Sequence, residues 1–158
     1  MKITEVVANS PLGAELTEQE IDVLTGVLKL RSLEDGAYLM TEGSTDNTLF
    51  VLLYGRLEVV KQAGGEELVS LAVLREGDLA GELSFIDGLQ HTAGIRALGD
   101  CEVMLLSRDD FEKIIDEYPR LTFKVMSAIA RATHRIIHRM NFEFMELNNY
   151  IFKQHGRY

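Results

Sequence analysis

Seven glycine-bearing turns punctuate the stretch from Lys29 to Ser107: Asp35-Gly36, Glu42-Gly43, Tyr54-Gly55, Gly64-Gly65, Glu76-Gly77, Asp87-Gly88 and Gly99-Asp100. Between them lie apolar or alternating runs such as Thr48 to Tyr54, Leu57-Glu58-Val59-Val60 and Leu68 to Leu74. Turns at a spacing of roughly 8–12 residues predict a sandwich or barrel of short antiparallel strands. Gly64-Gly65 is the best candidate for a hairpin tip, since both residues tolerate positive φ.

Helical signals flank this region. The opening through Gly13 has no clear period and reads as an irregular arm. Thr17-Glu18-Gln19-Glu20 is a capping box, in which hydroxyl and carboxylate each satisfy a free backbone amide. Ile21, Leu24 and Leu28 follow at helical spacing, so a helix is expected to end near Leu28. Ser107-Arg108-Asp109-Asp110 caps a second helix through Tyr118, with Phe111, Ile114 and Ile115 on its apolar face and acidic residues where the helix dipole favours them. Pro119 ends that helix and opens the next. From about Arg120 toward Tyr150, Met126, Ile129, Thr133, Ile136 and Met140 recur in steps of three and four, and Phe144, Leu147 and Ile151 extend the stripe. A stripe of this length exceeds what packing on one small barrel requires, and two such helices can pair along it. The same pattern also suits a helix folded back on its own barrel.

A chain of 158 residues fits one domain, enough to bury roughly 70% of the surface its unfolded form exposes. The parts read as an arm (1–14), a β domain with its leading helix (15–118) and a long C-terminal helix (119–158). Cys101, the only cysteine, lies in an apolar run and reads as a small buried hydrophobe; a disulfide framework within one chain is excluded. No apolar run reaches the roughly 18 residues of a membrane span, and the N-terminus lacks the pattern of a secretory leader, so a soluble cytoplasmic location is expected. The net charge of -9 argues against general affinity for nucleic acid. Charge is uneven, however. From Arg120 onward seven Lys or Arg stand against two Glu, which suits an interaction tail or a basic helix lying on an acidic domain.

The most specific stretch is Gly77 to Ala97. Gly81-Glu82-Leu83-Ser84 places a glycine at the start of a short helix, where backbone approaches a ligand closely and unpaired amides carry a positive partial charge. Ten residues after Gly81 stands His91, in the run Gln90-His91-Thr92-Ala93. Together with Gly77-Asp78, the paired run Gly81 to Ser84 resembles the phosphate-binding cassette of the cyclic-nucleotide-binding domain family. Tyr38-Leu39 before Glu42-Gly43 and Leu49 to Leu52 before Gly55 extend the likeness, which covers about residues 15 to 140. The resemblance implies an eight-stranded antiparallel jelly-roll barrel with an N-terminal helix and a long C-terminal helix. It also implies a ligand such as cyclic AMP or cyclic GMP. Amides of Gly81, Leu83 and Ser84 would face the phosphate, and Glu82 would accept from the ribose 2′-hydroxyl. In catabolite activators the C-terminal helix forms a homodimer, and the same is expected here. Members that bind DNA continue into a helix-turn-helix module, and none is expected in the residues up to Tyr158.

One departure matters. The family's cassette arginine is His91 here, and the usual proline before it is Gln90. Arginine carries a permanent charge on a planar fork, whereas histidine offers one donor and is mostly neutral at pH 7. Losing a charge-assisted bond of roughly 1.5–3 kcal/mol weakens binding about 10- to 150-fold. Thr92 resembles a threonine that some members use toward phosphate or guanine and can recover part of this. Arg96 is no replacement if 92–97 is a strand, since His91, Ala93 and Ile95 then share one face and Arg96 takes the other.

Other chemistries have less support. Only His91 falls in the β region, with no ligand set spaced around it, and His134 and His138, one helical turn apart, fit a solvated face better than a metal clip. Arg131, Arg135 and Arg139 form a ladder that reads as a solvated flank pairing with acidic residues of the barrel. No nucleophile has an adjacent base, and neither an enzyme activity nor a cofactor is expected. Two readings remain. The first is a sensor binding a cyclic nucleotide or related phosphate ligand at Gly81, Glu82, Leu83, Ser84, His91 and Thr92, and signalling to a separate protein partner through its last helix. The second is a non-binding dimerisation or interaction module.

Overall fold

The computed structural model describes residues 2–155. In chain order the elements are α1 (Ile3–Asn9), α2 (Glu18–Thr25), β1 (Leu28–Leu33), β2 (Tyr38–Met40), β3 (Thr48–Gln62), β4 (Leu68–Leu74), β5 (Leu79–Ala80), α3 (Glu82–Asp87), β6 (Gly94–Ser107), α4 (Arg108–Ile115) and α5 (Pro119–His155). The β-rich centre with helices at both ends matches the expectation from turn spacing. No helix among the described residues is long and apolar enough to cross a membrane.

Two long strands organise the sheet. β3 and β6 pair antiparallel from Thr48↔Ser107 to Val60↔Gly94. β1 and β2 add to β6, while β4 and β5 add to β3. Among the described residues the sheet therefore contains six strands and is open, where eight strands and a closed barrel were expected. The difference lies at two glycines. Tyr54-Gly55 and Gly99-Asp100 looked like chain reversals, but both fall inside continuous strands, and the β3–β6 register shifts near Tyr54. Gly55 has φ 91°, and a Cβ there would stand 2.6 Å from the carbonyl oxygen of Asp100. The residue must be glycine because the two strands touch where they bend. The Gly64-Gly65 tip does join β3 to β4, with both residues at positive φ.

Alternation along these strands divides the core in two. Leu49 and Val51 of β3, with Met104 and Leu106 of β6, face the helices and pack with Leu24, Phe111, Leu121, Val125 and Ile129. Phe50 and Leu52, with Val103 and Leu105, face the opposite way onto Leu33, Leu39, Leu57 and Ile95. Both faces are buried, which is why these stretches read as unbroken apolar runs. Cys101 is buried in the second cluster, as expected.

The helix ends follow local chemistry. The Thr17 hydroxyl accepts from the Glu20 amide at 3.2 Å and the Glu20 carboxylate accepts from the Thr17 amide at 3.0 Å, closing the capping box. Lys124 of α5 reaches the same carboxylate at 2.6 Å and, with Thr17, holds it below the usual glutamate range. α2 stops at Thr25, earlier than expected, because Leu28 begins β1 instead. The N-terminal arm is not irregular: residues 3–9 form a helix whose Val7 is fully buried against the core. A single apolar anchor leaves little periodic signal in so short a segment. Ser107 caps α4 through the Asp110 amide at 3.1 Å, and Pro119 opens α5.

Candidate functional site

α3 begins at Gly81, which has φ 78° and ψ 13°. A Cβ at this position would lie 2.6 Å from the Thr48 carbonyl oxygen, so backbone passes where a side chain would otherwise stand. Ser84 and Phe85 then pin α3 in place. The Ser84 hydroxyl, 1% exposed, accepts from the Asn47 amide at 3.0 Å. Phe85 is buried against Phe111, with ring centroids 5.7 Å apart. Leu83 is left half-exposed on the other side. Burial holds the Glu82 carboxyl above its ordinary value, offset in part by its own backbone amide.

The second half of the cassette is held to the loop between β2 and β3. The His91 amide donates to Ser44 O at 2.8 Å, and its carbonyl accepts from the Gly43 amide at 2.8 Å. The imidazole is buried, 7% exposed. Its Nε2 lies 3.1 Å from Asp46 Oδ1, within ion-pair distance, but the atoms are not aligned as a hydrogen bond and Nε2 has no aligned partner. The two groups are close without forming a hydrogen bond. Lys61 donates to the Thr92 carbonyl at 2.7 Å and pairs with Glu42 at 3.3 Å, tying down the next residue.

All six expected site residues, Gly81, Glu82, Leu83, Ser84, His91 and Thr92, line one cavity of about 360 Å³. A larger cavity of about 680 Å³ lies between α1 and the bend of β3 and contains none of them. Arg96 stays outside the smaller cavity, as strand alternation predicted, and pairs with Glu58 at 2.9 Å. Arg96 and the Ser70 hydroxyl hold Glu58 below the usual glutamate range.

Sequence reasoning missed the remaining walls. Val59, Leu71 and Leu74 of β3 and β4 line the cavity, and so do Ile136 and Met140 of α5. Ile136 and Met140 were legible as part of an apolar stripe; their lining role depends on where α5 crosses the sheet. The stripe in fact has two environments. Ala128, Ile129 and Ala132 pack on the chain's own core, whereas Phe144, Leu147 and Ile151 are exposed. The arginine ladder follows the acidic surface as expected, with Arg131 at 3.3 Å from Glu15 and Arg139 holding Asp78 through two nitrogens, the shorter contact 2.6 Å. Asp78 also accepts from the Arg75 amide at 2.9 Å, so one carboxylate joins α5 to the strand that leads into the cassette. His134 and His138 are both exposed on α5.

The Thermus thermophilus cyclic AMP receptor protein is 26% identical over 122 residues, 77% of this chain and 56% of that protein. The Caenorhabditis briggsae cGMP-dependent protein kinase is 29% identical over 76% of this chain. The chain spans 56% of the first relative's length and 16% of the second's. A solved cyclic nucleotide-binding domain from Methylobacillus flagellatus superposes with a TM-score of 0.78 at 23% identity, covering 91% of this chain and 81% of that one. The family model described as "Cyclic nucleotide-binding domain" matches residues 30–118, more than half of the chain and the whole of the cassette. With the fold, the cassette geometry and this match in agreement, the chain belongs to the cyclic nucleotide-binding domain family.

Proposed function

We propose that the protein is a regulatory, non-enzymatic domain that binds a cyclic nucleotide in the 360 Å³ cavity. The observation that carries this reading is the convergence of both cassette halves on that cavity, under Ile136 and Met140 of α5. The amides at the start of α3 face the phosphate, Glu82 accepts from the ribose hydroxyl, and His91 offers its imidazole as a donor. Thr92 offers a further donor. Because Ile136 and Met140 share the cavity with the ligand, occupancy changes what α5 packs against, and a separate protein partner reads the displaced helix.

His91→Arg tests the site directly. A permanent charge and a second donor toward phosphate are expected to tighten cyclic AMP and cyclic GMP binding about 10- to 150-fold by calorimetry. No gain in His91→Arg would remove this residue from the site.

The proximity of Asp46 to His91 favours a second reading. The Asp46 carboxylate already lies 3.1 Å from the imidazole nitrogen, and a phosphate has to compete with it for the ring. On that reading the domain no longer binds nucleotide and serves for dimerisation or interaction. No heat with cyclic AMP or cyclic GMP at millimolar concentration would establish it for those ligands.

Either reading includes a homodimer through the distal half of α5. Phe142, Phe144, Met145, Leu147, Ile151 and Phe152 are each at least 45% exposed on this segment, an apolar surface larger than a monomer keeps in water. Sedimentation at tens of micromolar should give twice the 17.8 kDa chain mass, and Phe144→Glu with Ile151→Glu should give the monomer with an unchanged fold. These two positions lie outside the cavity lining, so assembly is tested apart from binding.

A further inference from the structure

We infer that two copies of α5 together form a transition-metal site, with a zinc-like ion held by His134 and His138 of each chain; this rests on the homodimer reading above. α5 carries a second periodic stripe, apart from the one that packs on the chain's own core. Phe123, Ala130, Ile137, Phe144 and Ile151 stand seven residues apart, and Ser127, His134, Asn141 and Asn148 stand seven apart between them. Alternating steps of four and three are the d and a positions of a coiled coil. All five residues of the first series are exposed, whereas Leu121, Val125, Ala128, Ile129 and Ala132 on the opposite side are buried.

The second series sets the orientation. Asparagine at an a position specifies a parallel, in-register pair at a cost in stability, because its amide then meets its own copy. Asn141 and Asn148 take two successive a positions. In that register His134 stands beside His134 of the partner subunit. His138 follows one helical turn later, and its ring lies 27° from parallel with that of His134, centroids 6.3 Å apart. Beyond each other, neither ring has a hydrogen-bonding or ionic partner among the described residues.

One copy alone presents two imidazoles to water, the solvated face that the sequence suggests. Among the described residues no third His, Cys, Asp or Glu joins them within the chain, and a closed tetrahedral site needs four ligands. Pairing brings the other two. It also strips water from imidazoles that have no partner, a cost that a metal ion removes. Imidazole nitrogen suits zinc, nickel and copper rather than magnesium or calcium. Two cations border His134. Arg131 is drawn to Glu15 at 3.3 Å, and Arg135 takes a heptad position outside the seam, which leaves the seam to the imidazoles.

Sedimentation of the untagged chain in zinc chloride or in EDTA tests this, with calorimetry for the stoichiometry. One zinc ion per two chains is expected. With free zinc at about 100 times its own dissociation constant, the dimer dissociation constant should fall at least about ten-fold below its value in EDTA. Magnesium should leave it unchanged. His134→Leu keeps the seam apolar, so it should dimerise in EDTA at least as well as the wild type yet lose the zinc response, and His138→Ala should lose most of that response. A dimer that zinc does not strengthen, or that it strengthens equally in His134→Leu, overturns the inference and leaves the homodimer reading intact. A chain that stays monomeric both in zinc and in EDTA overturns both.

Discussion

Glu82→Gln will weaken cyclic nucleotide binding by roughly 10- to 150-fold while making the unliganded protein more stable at pH 7. The two effects have one origin. Burial raises the Glu82 carboxyl above its ordinary value of 4.5, so the folded protein binds its proton more readily than the unfolded chain does. Folding is therefore favoured below 4.5, and that advantage is lost as pH rises through the raised value. At pH 7 the wild type keeps an ionised carboxylate in a place that disfavours it, whereas glutamine carries no such penalty. Thermal melts should show the variant above the wild type at pH 7, with the gap closing toward pH 4.5. The ligand reverses the ranking, because a ribose hydroxyl donates more strongly to a carboxylate than to an amide. Wild-type affinity should also fall at acidic pH as Glu82 is protonated. A variant that melts lower at pH 7, or that binds as the wild type does, would contradict this account.

Gly81→Ala should be the most damaging single substitution in the cassette. Positive φ costs a residue with a Cβ about 1–2 kcal/mol. The methyl would also stand 2.6 Å from the Thr48 carbonyl oxygen, a backbone atom that cannot rotate away. With overpacking added, the loss is roughly 2–4 kcal/mol, or about 5–15 °C in melting temperature. Gly36→Ala is the control: its φ of 80° is nearly the same, but a Cβ there meets nothing within 4 Å. It should lose only the backbone part, about 1–2 kcal/mol. Equal losses at both sites would mean that the contact with Thr48 relaxes.

The periodic features were the most readable part of the chain. The capping box at Thr17 and Glu20, the Ser107 cap, the Gly64-Gly65 tip and the Pro119 boundary are local chemistry and need only neighbouring residues. Gly55 and Gly99 misled because one residue type, with one sign of φ, serves both a chain reversal and a bend within a strand. At Gly55 the cross-strand contact to Asp100 distinguishes the two, whereas a Cβ at Gly99 would meet nothing within 4 Å. The cassette was visible as a motif, whereas Ile136, Met140 and Leu71 lie far from it in sequence and reach the cavity only through tertiary structure. Asp46 was equally hidden. It meets His91 because Gly43 and Ser44 bind the His91 backbone on both sides, a pairing across more than forty residues that no spacing rule reports.

The contact between Arg139 and Asp78 has a mechanical side. Ala132 is the last buried residue along the described part of α5, which makes it the natural fulcrum of a stiff rod. Arg139 sits about 10 Å beyond that pivot and His155 about 35 Å beyond it, at a rise of about 1.5 Å per residue. A displacement of about 1 Å where Arg139 meets Asp78 would become roughly 3 Å at the far tip, the proportion of a lever arm with a gain of about three.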